Sequence, residues 1–117
     1  MLDLNLPLGS VPRSALDVET TGLWAEQGHR VCEIAVVRVE PGRPPVTFHS
    51  YVRPGRPIDE DARRVNGISD EELADAPPFA DLIDALDEVL ESSVLVAHNA
   101  PFDTSFLVAE YAIAAMI

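Results

Sequence analysis

Two carboxylates stand two positions apart in the stretch LDVETTGL, residues 16–23. Side chains at positions i and i+2 of a β-strand point to the same face, so Asp17 and Glu19 would lie side by side. Carboxylates that close repel each other, and the repulsion is relieved when one takes up a proton or when both share a cation. The residues TTG end the strand in a turn, near the strand end where ligands of α/β sheets bind. A solvated strand face is the other interpretation of such a triplet, and the triplet alone does not decide between them.

A third acid, Asp103, lies in the first turn of the helix predicted after the stretch SVLVAHN. A helix N-terminus favours an ionised carboxylate, so this position has an ordinary structural explanation. If the strand before it runs parallel beside the first strand, however, Asp103 comes near Asp17 and Glu19. Three acids would then converge on one spot.

Hydrophobic periodicity and turn residues predict the elements that hold these acids. The first strand leads into a hairpin of two strands, RVCEIAVVRVE and VTFHSYV, expected to lie antiparallel to it. A short helix begins with Ser69 as N-cap and Glu72 as its capping-box partner. An amphipathic helix follows, with an apolar stripe formed by Phe79, Leu82, Ile83, Leu86, Val89 and Leu90.

The stretch SVLVAHN is apolar enough to be a central strand, and a helix with Pro101 in its first turn follows it. The order is strand, hairpin, helices, strand, helix, which predicts an α/β domain. We assign residues 1–14 to a lead-in segment, with order beginning near Ala15, and residues 15–117 to the domain.

Composition limits the classes of function. The net charge is −12, and all eight basic residues are arginines within the first 64 positions. The acidic second half repels polyanions, so binding of nucleic acid would need divalent cations or a partner protein. Cys32 lies alone in an apolar run, which is typical of a buried thiol in a reducing compartment and favours a cytoplasmic location. The sequence contains neither a signal-peptide pattern nor an apolar run long enough to span a membrane.

Four segments occur in a characteristic order: DVETTGL, CEIAVV, NGIS followed by APPF, and VLVAHNAPFD. Together they resemble the DnaQ-like branch of the DEDD superfamily of 3′→5′ exonucleases, which includes the epsilon-type proofreading subunits of DNA polymerase III. The resemblance covers residues 15 to about 110. It implies a ribonuclease H-like fold with a mixed sheet and flanking helices. It also implies hydrolysis of phosphodiester bonds at the 3′ end of a single strand, DNA more than RNA, in proofreading or repair. DNA polymerase or other replication proteins would then be partners.

The resemblance further implies a site with two Mg²⁺ or Mn²⁺ ions. Asp17 and Glu19 of the first motif and Asp103 of the second would be the catalytic and metal-binding residues. The implied substrate-binding residues, which would surround the 3′-terminal nucleotide, are Thr20, Thr21, Gly22, Leu23, Asn66, His98, Asn99 and Phe102.

The histidines need separate interpretation. His98 and Asp103 have the spacing of the general base and the last acid in the family's third motif, but their context is that of the second motif. We therefore expect His98 to hold the turn by hydrogen bonds, and Asn99 to cap the following helix. Phe102 stacks on the nucleotide or belongs to the core. His29 and His49 have no downstream acid in a suitable context.

The family's third motif has no counterpart in these 117 residues. We therefore expect a C-terminally truncated exonuclease domain that lacks the last strand and helices and has little or no activity of its own. A bare sheet edge would invite self-association, with the tail AIAAMI packed against another copy or poorly ordered. A catalytically silent exonuclease-like module for binding or interaction is the alternative, and a generic metal-binding α/β domain is a third possibility.

Overall fold

The computed structural model describes residues 11–116, which form a four-stranded mixed sheet covered by helices. The strands are β1 (Arg13–Thr20), β2 (Val31–Val39), β3 (Val46–Tyr51) and β4 (Val94–Val96). The helices are α1 (Glu60–Asn66), α2 (Asp70–Leu73), α3 (Ile83–Leu90) and α4 (Ala100–Ala115), with 3-10 turns at Ala25–Gln27 and Phe79–Leu82. Among the described residues, no helix has the length and apolar character that crossing a bilayer requires.

The sheet order is β3-β2-β1-β4. Strands β1, β2 and β3 pair antiparallel, whereas β4 pairs parallel with β1. The predicted mixed sheet, with an antiparallel hairpin and one parallel strand, is therefore confirmed. The parallel pairing of β4 with β1 is the condition under which Asp103 was expected to approach the first two acids.

The hydrophobic core lies on one face of the sheet. Burial alternates along β1, where Leu16 and Val18 are buried while Asp17 is exposed and Glu19 is partly exposed. The acids therefore occupy the opposite, more open face, as the period of a strand requires. Helices α3 and α4 cover the inner face with a buried set consisting of Leu86, Val89, Phe106 and Leu107.

A second, smaller cluster joins the start of β2 to α1 and α2. Cys32, Ile58, Ile68 and Leu73 are all buried in it. Burial is the largest cause that raises the pKa of the Cys32 thiol to about 12. The nearby carboxylates of Glu19 and Glu33 raise it further. The prediction of a buried, free cysteine is confirmed.

Strand β1 begins at Arg13, two positions earlier than the polar residues before Ala15 suggested. Ser14 is completely buried, and its hydroxyl is satisfied by the hydroxyl of Ser93 at 2.7 Å. A polar residue can be part of a strand when it finds such a partner. Residues 1–10 of the predicted lead-in segment lie outside the described part of the chain.

The prediction of a central fourth strand is wrong. Strand β4 has three residues and lies at the edge of the sheet, where Leu95 and Val96 are 41% and 47% exposed. Only β1 pairs with it among the described strands, so its apolar side chains are not enclosed as those of a two-sided parallel strand would be.

Helical segments follow the predictions with two differences. Ser69 and Glu72 form the expected capping box. The predicted single helix from Phe79 is instead a 3-10 turn followed by α3, with Phe79, Leu86 and Val89 buried along the predicted stripe. Helix α4 continues to Ala115, so the expectation of a poorly ordered tail is wrong that far. Packing of the tail against a second copy stays a prediction.

Candidate active site

Asp103 lies against the strand that carries Asp17 and Glu19. Its backbone N–H donates to the carbonyl of Asn99 at 3.0 Å in the first turn of α4. Its side-chain Oδ1 accepts a hydrogen bond of 3.3 Å from the backbone N–H of Val18, the residue between the two acids. Asp103 is only 4% exposed. The parallel pairing of β4 with β1 thus brings the start of α4 over the acidic part of β1.

Negative charge accumulates where these elements meet. Burial is the main cause that raises the pKa of the Glu19 carboxyl, and the charges of Asp17, Glu33 and Asp103 raise it further. Burial also raises the pKa of Asp103, although the hydrogen bond from the Val18 N–H partly opposes this. A proton or a cation shared between Glu19 and Asp103 would therefore lower the electrostatic free energy of this region. Glu33, which pairs with Glu19 in the β1–β2 register, is a contributor that the sequence did not single out.

The donor chemistry of Asp17, Glu19 and Asp103 fits a hard divalent cation such as Mg²⁺ or Mn²⁺, because carboxylate oxygens are the ligands such ions prefer. Their mutual repulsion supplies the electrostatic reason to bind one. Within residues 11–116, however, no three His, Cys, Asp or Glu side chains are already arranged to hold a metal ion. The charges of Asp17 and Asp103 contribute to the raised pKa of Glu19, so the three acids are near one another without forming a finished metal site in this part of the chain.

A cavity of about 430 Å³ opens beside Glu19. It lies between the turn after β1 and helix α1. Five of the predicted substrate-binding or catalytic neighbours line it together with Glu19, namely Thr20, Gly22, Leu23, Asn66 and Phe102. Leu23 is 71% exposed at its rim. Phe102 also packs against the core and lies 5.0 Å from the ring of Phe106, so it belongs to both surfaces.

Hydrogen bonds hold the turn and α1 in this relation. The hydroxyl of Thr20 donates to the carbonyl of Gly22 at 2.7 Å. The side-chain amide of Asn66, at the end of α1, donates to the carbonyl of Thr20 at 3.3 Å, and its Oδ1 accepts from the N–H of Ile68. Asn66 therefore joins the two walls of the cavity as well as lining it.

Thr21 is not among the residues that line the cavity, and its contact with the nucleotide stays a prediction. Its side chain is completely buried, and its hydroxyl lies 2.9 Å from Nδ1 of His29. The same hydroxyl accepts a hydrogen bond from the backbone N–H of Arg30.

His98 and Asn99 do not have the contacts that were expected. Both are exposed, and neither side chain hydrogen-bonds to another residue of the described region. His98 thus does not hold the turn. Asn99 occupies the N-cap position, but only its carbonyl bonds to the helix. Neither lines the cavity beside Glu19.

Sequence reasoning missed His29 and Trp24, which both line the cavity. The sequence shows no acid in a suitable context after His29, yet its Nε2 lies 3.4 Å from Oδ2 of Asp59, thirty positions further along the chain. His49 likewise has an acid partner, Glu33, at 2.6 Å across the β2–β3 pair. Neither partner could be found from sequence spacing, because strand pairing and helix packing bring them together. Helix α1 adds the apolar wall residues Ala62 and Val65.

Comparison with known proteins identifies the family and the fold. Residues 14–115 match the Exonuclease family, RNase_T. The chain belongs to this family. It is 43% identical to the DNA polymerase III subunit epsilon of Rickettsia felis over 104 residues, which cover 86% of this chain and 44% of that protein. It is 37% identical to the corresponding subunit of Pasteurella multocida, over 95% of this chain and 45% of the relative.

Solved structures of exonucleases have the same fold. Exonuclease X in complex with 5′ overhanging duplex DNA is 36% identical, with a TM-score of 0.64 over 80% of this chain and 52% of that one. The nuclease domain of 3′hExo, a DEDDh family member bound to rAMP, gives a TM-score of 0.72 at 18% identity over 91% and 60%. The ribonuclease H-like fold of the DEDD exonucleases and the resemblance to the DnaQ-like branch are confirmed. The chain spans less than half the length of these epsilon subunits.

Proposed function

We propose that this chain forms the metal-binding and nucleotide-holding part of a 3′→5′ exonuclease that removes nucleotides from a DNA 3′ end. The observation that carries the proposal is the position of Asp103. A carboxylate from α4 lies 3.3 Å from the backbone nitrogen of Val18, between Asp17 and Glu19, and Glu19 also lines a cavity of about 430 Å³. Three neighbouring acids, one of them lining a cavity, would allow metal-assisted phosphodiester hydrolysis once they hold the ions.

Asp17, Glu19 and Asp103 would hold two Mg²⁺ or Mn²⁺ ions. When bound, such ions lower the pKa of a water nucleophile and stabilise the charge on the leaving 3′ oxygen. The turn residues Thr20 and Gly22 would hold the terminal nucleotide against α1. Leu23, exposed at the rim, would separate the terminal base from the next one.

The proposed substrate is DNA. Support comes from exonuclease X, whose structure was solved with 5′ overhanging duplex DNA, and from relatives named as subunits of DNA polymerase III. The net charge of −12 opposes DNA binding in the absence of cations. A DNA polymerase or another replication protein would hold the chain at its substrate, which fits proofreading or repair. We place this activity in the cytoplasm, where the buried thiol of Cys32 stays reduced.

The proposal is tested with the 117-residue chain itself in two measurements. Calorimetric titration with Mn²⁺ is expected to show binding that Asp17→Ala abolishes. A single-stranded DNA labelled at its 5′ end is expected to lose 3′ nucleotides slowly in Mn²⁺, because the third family motif with its general base is not among these residues. General-base catalysis contributes about 10²–10⁴-fold, which sets the size of the expected deficit.

Asp84→Ala is the matched control, since Asp84 is an exposed acid at the start of α3. It should bind Mn²⁺ as the unaltered chain does. Mn²⁺ binding that survives Asp17→Ala would contradict the proposal. Metal and DNA-end binding without any hydrolysis would instead support the catalytically silent module.

A further inference from the structure

His29 lies at the junction of three segments that form the cavity, although it belongs to none of the acidic motifs. It is only 8% exposed. Its Nδ1 lies 2.9 Å from the hydroxyl of Thr21 in the turn after β1. Its Nε2 lies 3.4 Å from Oδ2 of Asp59, the residue before α1. Both ring nitrogens therefore have partners, one on each wall of the cavity.

The face of the imidazole packs on Gly22. A Cβ atom at Gly22 would come within 2.3 to 2.5 Å of three ring atoms of His29, so only glycine leaves room for the ring. The backbone completes the junction, since the N–H of Asp59 donates to the carbonyl of Thr21 at 2.9 Å. The ring thus forms part of the cavity surface and also connects the turn to α1.

The hydrogen-bond directions are mutually consistent. The Thr21 hydroxyl accepts from the backbone N–H of Arg30 at 3.0 Å, which leaves its own proton free to donate to Nδ1 of His29. That arrangement leaves the ring proton on Nε2, which faces Oδ2 of Asp59 at 3.4 Å. One tautomer is therefore consistent with both contacts of the ring.

We propose that His29 is a positioning residue for the 3′-terminal nucleotide: acting through Asp59, it fixes the spacing between the turn after β1 and helix α1. Asn66 holds the far end of α1 to Thr20, so His29 and Asn66 together fasten both ends of the helix to one turn. This inference rests on the proposed function, because it assigns the cavity to the nucleotide. Among the described residues, no hydrogen bond or ion pair joins His29 to the three acids.

The test uses thymidine 5′-monophosphate as the probe in the presence of Mn²⁺. Trp24 is the only tryptophan in the sequence and lines the cavity, so its fluorescence reports occupancy. His29→Phe keeps a ring over Gly22 and removes both the hydrogen bond to Thr21 and the polar contact with Asp59. Asp59→Ala, at a residue whose side chain does not cap α1, removes the partner. Each is expected to weaken nucleotide binding about fivefold, and the double variant no more than either single one.

Two further variants make the result specific. Asp59→Asn keeps an oxygen acceptor for Nε2 and should bind the nucleotide within about twofold of the unaltered chain. His49→Phe is the matched control, because His49 also bonds to an acid but does not line the cavity. Mn²⁺ affinity, measured by calorimetry, should be unchanged in all these variants. Thermal unfolding checks that each is folded.

The outcomes separate the two proposals. Unchanged nucleotide affinity in His29→Phe, or effects of His29→Phe and Asp59→Ala that simply add, would overturn the role of His29 alone. If His29→Phe does not fold, Asp59→Ala and Asp59→Asn decide: equal binding by both would overturn the role. Absence of nucleotide binding by the unaltered chain would overturn the proposed function together with this inference.

Discussion

The carboxylate of Glu110 holds the guanidinium of Arg30 in a partly buried ion pair that connects α4 to the start of β2. The Nη2–Oε1 distance is 2.6 Å, and Nε lies 3.0 Å from both carboxylate oxygens. Oε2 also accepts the backbone N–H of Val31 at 3.0 Å. Glu110 is 2% exposed and lies about two turns after Asp103 on the same helix. The pair therefore fixes the orientation of the helix that carries the third acid.

Replacing Glu110 with Gln is expected to destabilise the chain by about 3 kcal/mol. The substitution leaves Arg30 partly buried without its counter-charge, which is the costly way to break such a pair. Urea unfolding followed by circular dichroism measures the loss. Glu88→Gln, at an exposed acid of α3, is the control and should change stability by less than about 0.5 kcal/mol. A loss for Glu110→Gln as small as that of the control would contradict a stabilising role.

Asp103→Asn is expected to separate metal binding from folding. The amide can still accept the hydrogen bond from Val18 through its oxygen, so the start of α4 stays in place. Removing one negative charge also relieves repulsion on Glu19. Mn²⁺ affinity should fall at least about tenfold while stability without metal stays equal or rises. Calorimetry and thermal unfolding in a chelator measure both quantities, and an unchanged Mn²⁺ affinity would argue against Asp103 as a ligand.

The stability of the metal-free chain should decrease as pH rises above the ordinary carboxyl range. Burial and neighbouring charge raise the pKa of Glu19 above 4.5 and that of Asp103 above 3.8. A raised carboxyl pKa means that the folded chain binds more protons than the unfolded chain between the two values. The free energy of unfolding contributed by these groups therefore falls as pH passes upward through that window.

Urea unfolding in a chelator from about pH 4 to about pH 7 tests this sign. Because other groups also titrate, the informative quantity is the difference between the unaltered chain and Glu19→Gln. That difference should shift in favour of Glu19→Gln as pH rises. Glu71→Gln, at an exposed acid of α2, should show no such trend. A trend of opposite sign would mean that Glu19 is stabilised as an anion.

Gly22→Ala should destabilise the chain by about 2 kcal/mol or more, because the added methyl group meets the ring of His29 at 2.3 to 2.5 Å. The loss should shrink in the double variant with His29→Ala, since the two changes share one contact. Gly22 is not among the glycines with positive φ, so the steric contact with His29 rather than backbone strain accounts for the expected loss. Thermal unfolding compares the four chains, and a Gly22→Ala loss that His29→Ala does not reduce would contradict the packing.

The exposed apolar residues at the cavity rim should contribute to nucleotide affinity. Val65 on α1 is 87% exposed and Leu23 is 71% exposed, and both line the cavity beside Glu19. Val65→Ala and Leu23→Ala are each expected to weaken thymidine 5′-monophosphate binding by about 1 kcal/mol, measured through Trp24 fluorescence. Val108→Ala is the control, because Val108 is 63% exposed on α4 and does not line the cavity. An effect of the control equal to those of the rim variants would argue against a specific contact.

The sequence by itself determined the local features. The alternation around Asp17 and Glu19, the capping box at Ser69 and the helix start before Asp103 depend on neighbours within a few positions. Backbone geometry fixes such patterns, so they can be predicted without knowing the fold. The order of the four motifs also predicted the family, and the family resemblance predicted that the three acids converge.

Only the tertiary structure decided the long-range contacts. The edge position of β4 depends on which strands pair. The buried hydroxyl of Ser14 depends on Ser93, which lies 79 positions further along the chain. The contact between His29 and Asp59 arises in the same way, since Asp59 approaches the ring only when α1 packs beside the turn after β1. Such contacts join residues far apart in the chain, and a single sequence contains no spacing that reports them. The physical reason is that packing of whole elements, rather than local backbone preference, sets these distances.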